Sequence, residues 1–273
     1  MSDLRLRARS VSEIVDAAFQ LYKRDALEYV LVAGVAYAPS LIAQLVLLRG
    51  LAVVPGGRSS IFGPTYFIAS ILGMFAYALM SAVLSRFSSD VYLDRPTGLG
   101  EVIRQVLPVT LRLIGATFLF AFVGMLGFVP VMIGIGLNSM LLMFLGVLAA
   151  IAWVFYVIAR FFAVLQVIVL ENRRIVEAFA RSSVLSEGRK WHILLTLFLV
   201  IVIFVMVSFA VSIFGVFLGP SVLVALQALY TVVAYPLIGI TQVVLYYDAR
   251  IRAEGFDIEM MTGALETPAP TAP

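Results

Sequence analysis

Arg160 stands inside an otherwise apolar run of the sequence. A cation so placed either meets an anionic group within a helix bundle or sits at an interface where its charge reaches water. Depth separates the two readings. If the helix enters the bilayer at Ser139, Arg160 follows 21 residues later, roughly 31 Å along a helix rising 1.5 Å per residue, which is a full hydrocarbon thickness. The arginine then lies at the inner interface, with 161–170 extending into the cytoplasm. In the buried alternative the polar side chains at similar depth are Tyr77, Ser81, Gln166, Tyr235 and Gln242.

A second group closes the last apolar run: Tyr246-Tyr247-Asp248-Ala249-Arg250-Ile251-Arg252. Tyrosines at a helix end with arginines beyond them are the usual anchors of a membrane helix, and Asp248 with Arg252 forms an i,i+4 pair. The same run, with Asp248, Arg250 and Arg252, also suits a partner-docking or gating element. A third group is the basic segment 171–192, where Arg173, Arg174, Arg181, Arg189 and Lys190 face Glu171, Glu177 and Glu187. These five cations either set topology or hold anionic lipid head groups.

Other chemistry is excluded by what the chain lacks. It has no cysteine and one histidine, His192, which removes thiol catalysis, disulfides and Cys- or His-cluster metal sites. It has no P-loop, no Gly-x-Ser-x-Gly and no His-Glu-x-x-His. The apolar runs contain no Asp or Glu, contrary to what a proton-coupled carrier needs at mid-depth. No catalytic residue, no cofactor and no metal is therefore expected.

The elements that must position these residues are membrane helices. Of the 273 residues 62% are hydrophobic and 13% charged, and mean hydropathy is +1.06, far from a soluble domain. We expect an all-α polytopic membrane bundle of six transmembrane helices at about 29–48, 65–85, 109–134, 139–170, 193–217 and 221–247. Tight joints near Gly136-Leu137-Asn138 and Gly219-Pro220 make hairpins. The first 26 residues hold charges throughout and no cleavable signal pattern. Net charge is +3, but position matters more than sum. Of the 19 Lys and Arg, sixteen fall on one side of this topology, while Arg49 and Arg58 fall on the other. Both termini are then cytoplasmic by the positive-inside rule, and the cations have lipid rather than nucleic acid as their natural partner.

Each pair of spans is preceded by a short amphipathic stretch: Ser12–Phe19, Gly100–Gln105 and Val176–Arg181. In the first, Val11, Ile14, Val15, Ala18, Leu21 and Tyr22 share one face, as in a helix lying in the membrane interface, and Ser10 with Glu13 forms a capping box. The pattern suggests one domain over 9–259 built of three units, 10–88, 97–170 and 174–248, with 260–273 as a disordered Pro/Ala-rich tail. Alternation of basic loops with apolar spans in any polytopic protein would look similar. Pro39, Pro108, Pro130, Pro220 and Pro236 lie in or beside spans, and Gly124, Gly127, Gly134, Gly136 and Gly146 would let helices approach closely.

Three stretches carry a resemblance: Arg9–Arg24, the run from Glu171 to Trp191, and Tyr246–Asp257. Together they resemble the glycerophosphodiester phosphodiesterase membrane-domain, or YciC-like, family of bacterial integral membrane proteins, over about 9–259. The resemblance implies a bacterial cytoplasmic membrane location. Some members carry a phosphodiesterase barrel after the membrane part, which would need paired histidines and metal-binding acids; the resemblance here covers the membrane part alone. The expected function is a non-enzymatic accessory or scaffold acting through membrane lipids or a membrane-protein partner. The alternative is a passive carrier or channel for a small or amphipathic anionic solute that Arg160 would meet. The oligomeric state is left open by the pattern.

Overall fold

The computed structural model describes residues 7–52, 64–95 and 98–255. Every regular element among them is helical: α1 (Val11–Arg24), α2 (Ala26–Ala52), α3 (Pro64–Tyr92), α4 (Leu99–Val106), α5 (Thr110–Met125), α6 (Val129–Gly136), α7 (Met140–Arg160), α8 (Val164–Glu171), α9 (Ile175–Leu185), α10 (Lys190–Leu218) and α11 (Pro220–Glu254). Two 3₁₀ turns, Leu107–Val109 and Leu126–Phe128, join α4 to α5 and α5 to α6. The connection expected between the first two spans, with Arg58 at its outer side, and the tail 260–273 lie outside the described residues.

Local chemistry sets the helix ends. The Ser10 N–H donates to Glu13 Oε2 at 2.8 Å and the Ser10 side chain accepts from the Glu13 N–H, so the expected capping box begins α1. Ser139 caps α7. Asn138 and Asn172 adopt positive φ of 49° and 55°, and Gly255 one of 65°, the left-handed conformation that halts a helix. Pro108, Pro130 and Pro220 sit in first turns, where a missing N–H costs no helical bond. Pro236 lies inside α11.

Among the described residues four helical stretches are long and apolar enough to cross a membrane: Leu99–Gly136, Met140–Glu171, Lys190–Leu218 and Val222–Glu254. The expectation of six is thus met at four. The other two fall on α2 and α3, helices of 27 and 29 residues, where Ala26–Ala38 is a shorter apolar stretch among the described residues. The crossing helices carry much exposed apolar surface, such as Phe144, Phe209 and Phe217. A contiguous apolar skin of this extent is what lipid, not water, solvates.

The core sits at one end of the bundle and centres on α11, which packs against α1, α2, α3 and α10. Ile240, Val243, Val244 and Leu245 of α11 are buried with Leu84 and Phe87 of α3 and Tyr29 of α2. α3 gives this contact a small-residue face, Ala78, Ser81, Ala82, Ser85, Ser88 and Ser89, all buried, so neighbouring backbones come close.

Two expectations change here. The three short amphipathic stretches are helices, α1, α4 and α9, but the apolar face of α1 does not lie against lipid. Ile14, Ala17, Ala18 and Leu21 are buried in the protein core, because α10 and α11 offer a matching apolar surface. Residues 161–170 also do not run out into water. The chain turns at Phe161–Ala163, and α8 buries Val164, Gln166, Val167 and Ile168 against α3 and α9.

Candidate functional site

The last turns of α11 bring the first and last described segments of the chain together. The Asp248 carboxylate, 2% exposed, accepts the Arg9 backbone N–H at 2.6 Å and Arg252 Nε at 2.9 Å. Arg252 Nη2 in turn donates to the Arg9 carbonyl at 2.6 Å. One i,i+4 ion pair thereby clamps both backbone groups of a residue that no helix holds. His192 Nε2 lies 3.4 Å from Asp248 Oδ2. Arg189 donates to the Arg252 carbonyl at 2.7 Å and to that of Ala249 at 3.4 Å, placing cationic donors where α11 leaves carbonyls unpaired.

A second cluster joins α11 to α8 and α9. The Tyr246 hydroxyl donates to Glu171 Oε1 at 2.8 Å, and Arg181 Nε lies 3.2 Å from Glu171 Oε2. Arg181 also pairs with Glu254, which receives Arg250 Nε at 3.2 Å. Hydrogen bonding to Glu254 first, then the charge of Glu171, raises the Arg181 guanidinium above the usual arginine range despite partial desolvation. Arg173 Nε approaches Glu171 Oε2 at 3.6 Å, and Arg112 donates to the Asn172 carbonyl at 3.1 Å. Tyr246 and Tyr247 are buried rather than set at a lipid surface. Tyr247 stacks on Tyr92, ring centroids 5.3 Å apart, and its hydroxyl meets Ser89 Oγ at 2.7 Å.

Of the residues expected to carry function, Asp248, Arg250, Arg252, Arg181 and Arg189 thus belong to two linked networks. Arg173 and Arg174 are exposed on the same side. Arg160 and Lys190 stand together elsewhere. Arg160 ends α7, Lys190 begins α10, and both meet Tyr156: Arg160 Nη1 donates to its hydroxyl at 2.9 Å, and Lys190 Nζ lies 5.0 Å from its ring centroid. The polar residues named as companions of a buried Arg160 gather without it. Ser81 bonds Tyr235 at 3.0 Å, Tyr77 packs edge-on to Tyr235, and Gln166 donates to Gln242 at 3.0 Å. Beside them a cavity of about 160 Å³ is lined by Tyr77, Thr117, Phe120, Phe162, Leu197 and Gln242.

Sequence reasoning did not single out Arg9 or Glu254, and it placed Glu171 and Tyr246 in separate groups rather than as bonded partners. The available signal was that acids occur in the two basic segments at all, since a carboxylate among cations at a helix end is a candidate pairing partner. Among the described residues no group of three or more His, Cys, Asp or Glu could hold a metal ion.

Long apolar helices with polar networks gathered at one end define an integral membrane protein of the helical class. Residues 134–248, from Gly134 in α6 to Asp248 in α11, match the family model for the membrane domain of glycerophosphoryl diester phosphodiesterase. The resemblance expected from the sequence is found over that stretch, which ends at the acid that clamps Arg9. No curated protein and no solved structure matches the chain.

Proposed function

We propose that this chain is a non-enzymatic, six-span protein of a bacterial cytoplasmic membrane, with both termini cytoplasmic, acting as an accessory or scaffold through lipids or a membrane-protein partner. The observation that carries this reading is the use made of the polar side chains. At the end of α11 they bond one another and fix three distant segments of chain, which is the work of a rigid platform rather than of a reactive centre. The cation asymmetry supports the orientation, since the clustered arginines lie at the end assigned to the cytoplasm. The lengths of α2 and α3 support six crossings, each being roughly 40 Å at 1.5 Å per residue. The family match concerns a membrane domain, and a phosphodiesterase acting beside this chain is one partner consistent with it.

The second reading, a passive carrier, draws on the cavity between Tyr77 and Gln242. At about 160 Å³ it would take only a small group, and Arg160 is not among its lining residues. Native mass spectrometry of protein extracted gently from its own membrane tests the choice. The platform reading expects a retained lipid or a stoichiometric polypeptide. A retained small solute that is lost with Arg160→Leu overturns it in favour of a carrier.

A further inference from the structure

The face formed by α7 and α10 carries a groove of about 560 Å³, walled by Phe155, Ala159, Leu194, Leu195 and Phe198, with Tyr156, Lys190 and Trp191 at one end. Its volume suits an elongated apolar group. Arg160 is the last residue of α7, just past the groove-lining Ala159 and outside the groove itself, and Lys190 is the first of α10, so antiparallel packing brings both cations to the same level. They share Tyr156, and neither has a carboxylate within ion-pair distance among the described residues. That sets them apart from Arg181 and Arg252, whose charges are matched by Glu171, Glu254 and Asp248. Trp191 is 78% exposed beside them, an amphipathic ring at the level where head groups begin.

We infer that this groove is a binding site for one anionic phospholipid, its phosphate between Arg160 and Lys190 and an acyl chain along Phe155, Leu194 and Phe198. The inference rests on the membrane-platform reading; of the five cations named in the segment 171–192 it keeps Lys190 and pairs it with Arg160 on the α7/α10 face. Charge complementarity selects the occupant: two unmatched cations over an apolar trough fit a negative head group on a hydrocarbon chain. A zwitterionic lipid fills the trough but returns a positive charge to the cations. Arg181 and Arg189, by contrast, are already engaged in holding α11.

The test uses Trp191, one of two tryptophans in the sequence. The full-length protein and its Trp191→Phe variant are reconstituted in phosphatidylcholine vesicles containing a minor fraction of acyl-brominated phosphatidylglycerol or, separately, acyl-brominated phosphatidylcholine. The difference between the two proteins reports quenching at Trp191 alone. We expect the anionic lipid to quench more strongly, with a preference of roughly fivefold per cation. Lys190→Gln or Arg160→Gln should each remove about one such factor, and the double variant should reach parity. Equal quenching by the two lipids in the parent protein overturns the site, as does a preference that survives in the double variant. The parent measurement decides even where a variant fails to fold. A negative result here leaves native mass spectrometry free to decide the platform reading independently.

Discussion

Asp248 and Arg9 lie 239 residues apart and are joined by a 2.6 Å hydrogen bond from the Arg9 backbone N–H to the buried carboxylate. With Arg252 donating to the Arg9 carbonyl, the pair of side chains treats the entry to α1 as a neighbouring strand would, taking both its donor and its acceptor.

Asp248→Asn keeps the shape of this clamp and removes its charge. The amide can still accept one bond, but Arg252 loses its counter-ion. Breaking a buried pair costs about 3–5 kcal/mol, and the part-exposed Arg252 is rescued in part by water. We expect a loss of about 2 kcal/mol in equilibrium unfolding in detergent. In a cycle with Arg252→Met the two changes should couple by about 1–2 kcal/mol; simple additivity would show that the pair does not act as a unit.

The start of α1 predicts an acid sensitivity. The Ser10 N–H, then Arg7, hold the Glu13 carboxyl down to about 2 from its ordinary 4.5. A lowered native value means that its contribution is complete above about pH 4.5 and fades as pH falls toward 2. Between those limits the parent protein should lose thermal stability more steeply than Glu13→Gln. Parallel Tm profiles over that window would count against the capping role.

The α6/α7 hairpin separates tight glycines from free ones. A Cβ on Gly146 would stand 2.8 Å from the Val131 backbone nitrogen, whereas one on Gly136 meets nothing within 4 Å. Gly146→Ala should cost about 1–3 kcal/mol by overpacking. Gly136→Ala should be neutral within about 0.5 kcal/mol. Unfolding titrations of the two variants side by side check the contrast.

Orientation can be read by single cysteines, because the sequence contains none. Leu137 in the α6/α7 turn and Val176 on α9 are both exposed. In intact cells a membrane-impermeant maleimide should label Leu137→Cys, and reach Val176→Cys only after permeabilisation. The reverse pattern would invert the topology.

What the sequence makes legible is local. The capping box at Ser10 and Glu13 and the turn at Asn138 are each specified within a few residues, and each is found where expected. The i,i+4 pair of Asp248 and Arg252 is legible for the same reason. What covers a face is not local. The periodicity of α1 announces an apolar stripe, but lipid and a neighbouring helix attract it alike, and only the packing of α10 and α11 decides. Tyr246 and Tyr247 have the type and position of interfacial anchors, yet Glu171 and Ser89 draw their hydroxyls inward from 75 and 158 residues away. The placement of Arg160 is intermediate: counting from Ser139 locates the end of α7, but nothing local predicts that Lys190 arrives beside it.

The clamp on Arg9 also has a consequence for the order of events during synthesis. α1 is made more than 200 residues before the part of α11 that fixes its entry. Until α11 is in place, α1 lacks both its covering apolar surface and the acid that holds its leading peptide. Closing a loop of this span carries an entropic cost that nearer contacts do not repay in advance. The segments that hold Arg9 and Asp248 therefore meet as a late step, and a nascent protein stopped before Asp248 would leave the amphipathic α1 unhoused.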